Sequence, residues 1–150
     1  MSRLTDYGTV VLAQLPNKGS SCVSAAEVAE ASGIALPTVS KLLKALAKAE
    51  LVTSTRGAHG GYCLARQPRQ ISAAEVIDAL EGPISITECS ASNSHCDYES
   101  KCNVGSAWQR INLAIRRALD DISLADLQRI NSPVPRFNLG GIPINVGRRL

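Results

Sequence analysis

The sequence predicts a mainly α protein with one small β-hairpin in its first half and a long amphipathic helix in its second. Three observations carry that expectation. Two helical stretches, "SAAEVAEASG" and "LPTVSKLLKALAKAE", follow one another across a tight turn at Gly33. Next comes "LVTSTRGAHGGYCLAR", a β-branched run, a glycine-rich turn and a second short apolar run, the pattern of a hairpin. From about Ala107 onward, Trp108, Ile111, Ile115, Leu119 and Ile122 recur at helical spacing. Apolar residues make up 45% of the 150, enough for a packed core, while aromatics make up only 3%, so Leu, Val, Ile and Ala must fill it.

Taken in order, Leu4, Tyr7, Val11, Leu12 and Leu15 form an apolar stripe, a first helix ended by Pro16. "NKGSSC" is a loop. Ser24 and Glu27 then form a capping box, each bonding the other's backbone N–H, and Gly33 supplies the stop after about two turns. Pro37 suits the start of the next helix, where a missing N–H costs nothing. Val39, Leu42, Leu43 and Leu46 share one side of that helix, and Lys41, Lys44 and Lys48 share the opposite side. After the hairpin, "SAAE" at 72–75 is a second capping box, opening a helix that stops at Gly82-Pro83. Ser123 with Asp126 caps one last short helix. Four regions result: a compact unit over 1–82, a cysteine-bearing loop over 83–106, the long helix with its short companion over 107–131, and a flexible Pro/Gly-rich tail over 132–150.

Charge divides the chain. Residues 1–70 carry 8 Lys+Arg against 4 Asp+Glu, and residues 71–131 carry 5 against 9. A basic first half joined to an acidic second half suggests two tasks, one of them facing a polyanion. The first residues show no apolar signal-peptide core, and no apolar run approaches the roughly 18 residues that span a bilayer. The expectation is a cytoplasmic protein with no membrane partner. In that reducing compartment the five cysteines are expected as ligands, redox groups or buried apolar residues rather than as a disulfide framework.

Short helix, tight turn, second helix and two-stranded hairpin make a winged helix-turn-helix. Its second helix fits the major groove of double-stranded DNA, where every base pair shows a distinct donor and acceptor pattern. Thr38 and Ser40 stand near the end of that helix that meets base edges, and Lys41 and Lys44 stand where phosphates, or for Lys41 a guanine, would lie. Arg56 begins the wing tip, His59 sits within it, and Gly60 allows close backbone approach to a sugar-phosphate ridge. Three lysines alone would describe any solvated helix face. Joined to a basic wing, they favour DNA. Cys22 and Cys63 are read as ordinary residues, not ligands; Cys63 alternates with Tyr62 and Leu64 in a strand.

Cys89, Cys96 and Cys102 lie in "CSASNSHCDYESKC", spaced Cys-x₆-Cys-x₅-Cys. Structural zinc takes four ligands and often a tight Cys-x₂₋₄-Cys pair, and His95 is poorly placed as a fourth because it adjoins Cys96. Three spread thiolates suit an iron–sulfur cluster, whose irons sit at separated corners. Zinc and a metal-free thiol switch stay open on spacing alone. There is no phosphate-cradling loop, no Cys-x-x-Cys pair and no acid/base constellation, so no catalytic residue, enzyme activity or small-molecule substrate is expected.

Over residues 3–131 the chain resembles the winged-helix iron–sulfur transcription regulators that include IscR, NsrR and RirA, and is most similar to the branch regulating the SUF assembly system. The carriers are "RLTDYGTVVL", "GIALPTVSKLLKAL", "LVTSTRGAHGGYCLAR", "ISAAEVIDALEGP" and the three cysteines followed by Trp108 and a long helix. The resemblance implies a homodimer paired through that helix, reading an inverted-repeat operator. It also implies a repressor of iron–sulfur assembly genes with a 2Fe–2S or 4Fe–4S cluster on Cys89, Cys96 and Cys102. The fourth ligand differs among members: the histidine some use after the third cysteine is Gly105 here, and the position of the acidic residue others use is Thr9. Asp6, Thr9, His95 and Glu99 are the candidates. Cluster occupancy would then order the loop and set the spacing of the two DNA-reading helices.

Overall fold

The computed structural model describes residues 3–58, 60–85, 105–129, 137–139 and 142–144. Among these, the helices are α1 (Arg3–Ala13), α2 (Ala25–Ser32), α3 (Leu36–Lys48), α4 (Ala73–Glu81), α5 (Gly105–Asp120) and α6 (Leu124–Gln128). The strands are β1 (Val52–Thr55), β2 (Gly61–Leu64), β3 (Phe137–Leu139) and β4 (Ile142–Ile144). The architecture is mainly helical with an antiparallel wing, as the periodicities predict.

Local chemistry sets the helix ends. Ser24, Ser72 and Ser123 each accept from the amide three residues on (3.2 Å in all three), while Glu27, Glu75 and Asp126 return a carboxylate to the serine's own N–H at 2.6, 2.9 and 3.1 Å. Gly33 ends α2 in the left-handed region at φ 70°, its N–H donating to Ala29. The end of α3 is less ordinary. Glu50 takes φ 59° without being glycine, its N–H donates to Ala47 O at 3.0 Å, and Leu51 N–H donates to Leu46 O at 3.0 Å. These are the two bonds of a Schellman turn, with Leu46 and Leu51 packed inside it. That turn aims the chain into β1.

One core follows. Val39, Leu42, Leu43 and Leu46 are each 0–2% exposed and pack with Leu12 of α1, Val76 of α4 and Leu64 of β2. Burying four such side chains is worth roughly 6–12 kcal/mol before entropy is charged against it. Helix α1 lies close on α4 because a Cβ at Gly8 would overlap Leu80; the Thr5 hydroxyl donates to Glu81 across the same contact. Helix α5 is held against α4 by Arg116, whose guanidinium grips Asp78 with two bonds of 3.1 and 2.6 Å.

Three features depart from the sequence expectation. The first corrects the reading of Cys22 and Cys63 as ordinary residues: they are bonded to each other, Cα atoms 5.0 Å apart across 41 residues. The chain before α2 runs alongside β2, Val23 and Tyr62 exchanging both backbone bonds at 3.1 and 2.7 Å, so a long-range pairing brings together cysteines with no local relationship. Second, the segment expected as a flexible tail contains β3 and β4, paired from Phe137↔Ile144 to Leu139↔Ile142. The two residues between them in sequence are Gly140-Gly141, the dipeptide that two-residue hairpin links favour. Third, α5 begins at Gly105, two residues before its expected start.

Glu75 gives a pH test of this frame. Burial raises its carboxyl, but bonds from the Ser72 backbone and the Arg66 guanidinium outweigh that and hold it below the ordinary glutamate value. A carboxyl depressed in the folded state adds stability above its unfolded value and loses it as pH falls through the folded value. Glu75→Gln is therefore expected to be less stable than the parent at neutral pH, by no more than about 1 kcal/mol for a pair this exposed. The gap should close as pH drops below the ordinary glutamate range. Urea unfolding across pH checks this, and a gap independent of pH would contradict it.

Candidate nucleic-acid interface and cysteine segment

Burial sorts α3 into two faces. Its four core residues point inward, and Lys41, Lys44 and Lys48 all lie exposed on the other side. Thr38 and Ser40 are half-buried in its first turns, beside the Pro37 that stands at the start as expected. The outer face of α3 thus combines hydroxyls near the N-terminus with cations farther along, the chemistry that base edges and then phosphates would require.

The wing continues that basic surface. Pairing runs from Val52↔Leu64 to Thr55↔Gly61, and Arg56 is exposed immediately beyond it. The tip turns sharply: Gly57 has φ 117°, and Gly60 N–H donates back to Gly57 O at 2.9 Å. A Cβ on Gly60 would overlap the Thr55 carbonyl, so only glycine fits and the tip stays narrow enough to lie along a groove wall. His59 falls outside the described residues. Sequence reasoning missed the third element of this unit, the Val23 bridge that fastens β2 to the start of α2. Its only local trace is one β-branched residue between polar neighbours and the Ser24 cap.

The cysteine segment follows α4 in the sequence. Cys89, Cys96 and Cys102, with His95 and Glu99, fall outside the described residues. Two of the four fourth-ligand candidates are described. Asp6 is exposed in the first turn of α1, and Thr9 is half-buried with its hydroxyl donating to Thr5 O at 2.9 Å. Both line an open groove of about 390 Å³ whose other walls include Val10, Val76, Ile77, Leu119 and Leu127. Close by in the chain, α5 has no buried residue at all; Trp108, Ile111 and Leu113 are 38%, 43% and 49% exposed. Of the expected apolar seam, Trp108 and Ile111 are exposed, while Ile115, Leu119 and Ile122 are half-buried.

A family model described as Rrf2, iron-dependent transcriptional regulator, matches residues 1–130. The chain belongs to the Rrf2 family. It is 37% identical over 131 residues to protein rrf2 of Nitratidesulfovibrio vulgaris, a match covering 87% of each chain. Its fold is similar to that of CymR, the global cysteine regulator of B. subtilis, with a TM-score of 0.64 at 32% identity over 85% of this chain and 95% of that one. It is also similar to T. potens IscR, with a TM-score of 0.59 at 35% identity over 85% and 84% of the two chains. As an Rrf2-family protein it is a DNA-binding transcription regulator, and the hairpin β1–β2 is its wing. Among the described residues no helix is long and apolar enough to cross a membrane.

Proposed function

We propose that this Rrf2-family regulator represses iron–sulfur assembly genes and is controlled by an iron–sulfur cluster held on Cys89, Cys96 and Cys102. The observation that carries the reading is the donor set itself: three soft thiolates spaced for separated irons, between the winged unit and α5 of a chain similar to IscR. Asp6 is the better of the two described fourth-ligand candidates. It is an exposed carboxylate, whereas the Thr9 hydroxyl already spends its proton on Thr5 and ligates weakly unless deprotonated. When bound, the cluster supplies iron that can be lost, oxidised or attacked by nitric oxide. The chain's own part is to hold it between the DNA-reading unit and α5, so that occupancy changes how two copies sit relative to one another.

Two copies are part of the proposal. The exposed seam at Trp108 and Ile111, with the apolar groove between α1 and α4, supports a homodimer through α5. Such a dimer reads an inverted repeat in double-stranded DNA through Thr38, Ser40, Lys41, Lys44, Arg56, His59 and Gly60 of each copy.

Protein purified without oxygen is expected to be brown, with about 2–4 iron per chain, and Cys→Ala at 89, 96 or 102 is expected to abolish the Mössbauer signal of the cluster. A colourless protein holding zinc would instead point to a zinc-stabilised DNA-binding protein. A second reading, a thiol- or nitric-oxide-sensing regulator without a stable cluster, draws support from the likeness to CymR, the global cysteine regulator, and from the Cys22–Cys63 bond. Colourless, metal-free protein with thiol-dependent DNA binding would favour it.

A further inference from the structure

We propose that Cys22 and Cys63 form a reversible thiol–disulfide site that locks the wing to the helix-turn-helix and so tunes DNA affinity, separately from the cluster cysteines. The proposal rests on the family's DNA binding and not on the cluster.

The backbone sets the pair. Val23 and Tyr62 exchange two hydrogen bonds, so in the antiparallel register the neighbouring pair, Cys22 and Cys63, is a non-hydrogen-bonded one, where strands approach most closely. Their Cα separation of 5.0 Å falls within the span a disulfide bridges without moving the backbone. Gly61 permits the approach, because a Cβ there would come 2.5 Å from the Val23 carbonyl oxygen. The two sulfurs are brought together by the fold rather than by chance proximity on a surface.

Position gives the bond its consequence. Cys22 lies two residues before the Ser24 cap of α2, and Cys63 lies in β2 directly opposite Thr53 of β1. The loop closed by the bond contains all of α2, α3, β1 and the wing tip, and with them every residue proposed to touch DNA, from Thr38 to Gly60. With the bond intact, the wing cannot swing away from α2. With it broken, β2 is held on that side by the two Val23–Tyr62 bonds.

Exposure gives the chemistry its direction. Cys63 is 3% exposed and Cys22 is half-buried, so an incoming thiolate reaches the Cys22 sulfur. A dithiol reductant attacks there, the Sγ–Sγ bond breaks, and the electron pair leaves on Cys63, which takes a proton from solvent. The reductant's second thiol then displaces Cys22, which is protonated in turn. Two electrons and two protons pass to the protein, and the reductant becomes a cyclic disulfide. The freed Cys63 thiol has an acceptor waiting, the Ser20 carbonyl at 3.7 Å. A small-molecule disulfide drives the reverse.

The test uses full-length protein prepared without oxygen, half of it treated with dithiothreitol. Non-reducing peptide mapping should find the Cys22 and Cys63 peptides linked before treatment and separate after. Affinity for a duplex selected from a random-sequence pool should fall roughly threefold to tenfold on reduction, the scale of one or two groups losing preorganisation. Amide exchange in residues 52–64 should quicken. Cys22→Ser and Cys63→Ser should bind as the reduced parent does and ignore dithiothreitol. Linked and reduced proteins with equal affinity and equal amide exchange would overturn the proposal, as would the absence of a linked peptide. If neither form bound any duplex while exchange still responded, the DNA reading would fail and the lock would stand.

Discussion

Lys41→Ala combined with Lys44→Ala is expected to weaken binding to double-stranded DNA by roughly 10²–10³-fold at physiological salt, with the fold left intact. Both side chains are exposed, and neither touches the buried side of α3. If each lysine neutralises one phosphate, a dimer loses four such contacts. The slope of log affinity against log salt should then shallow by about 3 to 4, since each contact contributes about 0.9. Fluorescence anisotropy across a salt series measures both numbers. A loss of affinity with an unchanged slope would mean that these lysines act on something other than phosphate.

The second large effect lies on the other side of the same helix. Leu43 is fully buried, and Leu43→Ala is expected to cost about 2–5 kcal/mol through lost burial and the cavity left behind. For a chain of this size that lowers the melting temperature by roughly 10 °C. Against the marginal 5–15 kcal/mol of a typical domain, much of the folded margin goes. Calorimetry checks it, and a shift under about 3 °C would show that the core repacks around the gap. The two variants separate what α3 does: the lysine pair should change binding and spare stability, and the leucine should do the reverse.

Much of this fold could be read from local patterns. Three serine caps are written in residues three apart, and the structure forms all of them. The inner and outer faces of α3 follow from a 3.6-residue period, and the wing follows from β-branched residues around glycines. What escaped is non-local. Cys22 and Cys63 are far apart in sequence, and only the Val23–Tyr62 bridge, itself a tertiary pairing, makes them neighbours. Glu50 in the left-handed region is a second case: no residue preference marks it, and the buried Leu46–Leu51 contact imposes it. The tail hairpin does have a local trace, the Gly140-Gly141 dipeptide between Phe137-Asn138-Leu139 and Ile142-Pro143-Ile144. A Pro/Gly-rich composition points to a loop before it points to a turn with paired strands.

The candidate site divides along the same line. The residues proposed to read DNA lie on helix and hairpin positions that sequence periodicity fixes: Thr38, Ser40, Lys41 and Lys44 on α3, Arg56 and Gly60 at the wing. The proposed cysteine ligands are a spacing, Cys-x₆-Cys-x₅-Cys, and a spacing states chemistry without stating geometry. A fourth ligand from another copy has no signature within one chain. Asp6 and Thr9 share a groove wall on α1, where a second copy's α5 would pack in the proposed dimer.

The central claim is that occupancy of the cysteine segment governs DNA binding. The most direct measurement is operator affinity of cluster-loaded and apo protein, prepared from one anaerobic batch and compared at one salt concentration, with the Cys22–Cys63 bond kept in the same state in both. The expected result is at least a tenfold difference between the two forms, abolished when Cys89, Cys96 or Cys102 is replaced by alanine. Equal affinities for loaded and apo protein would contradict the switch.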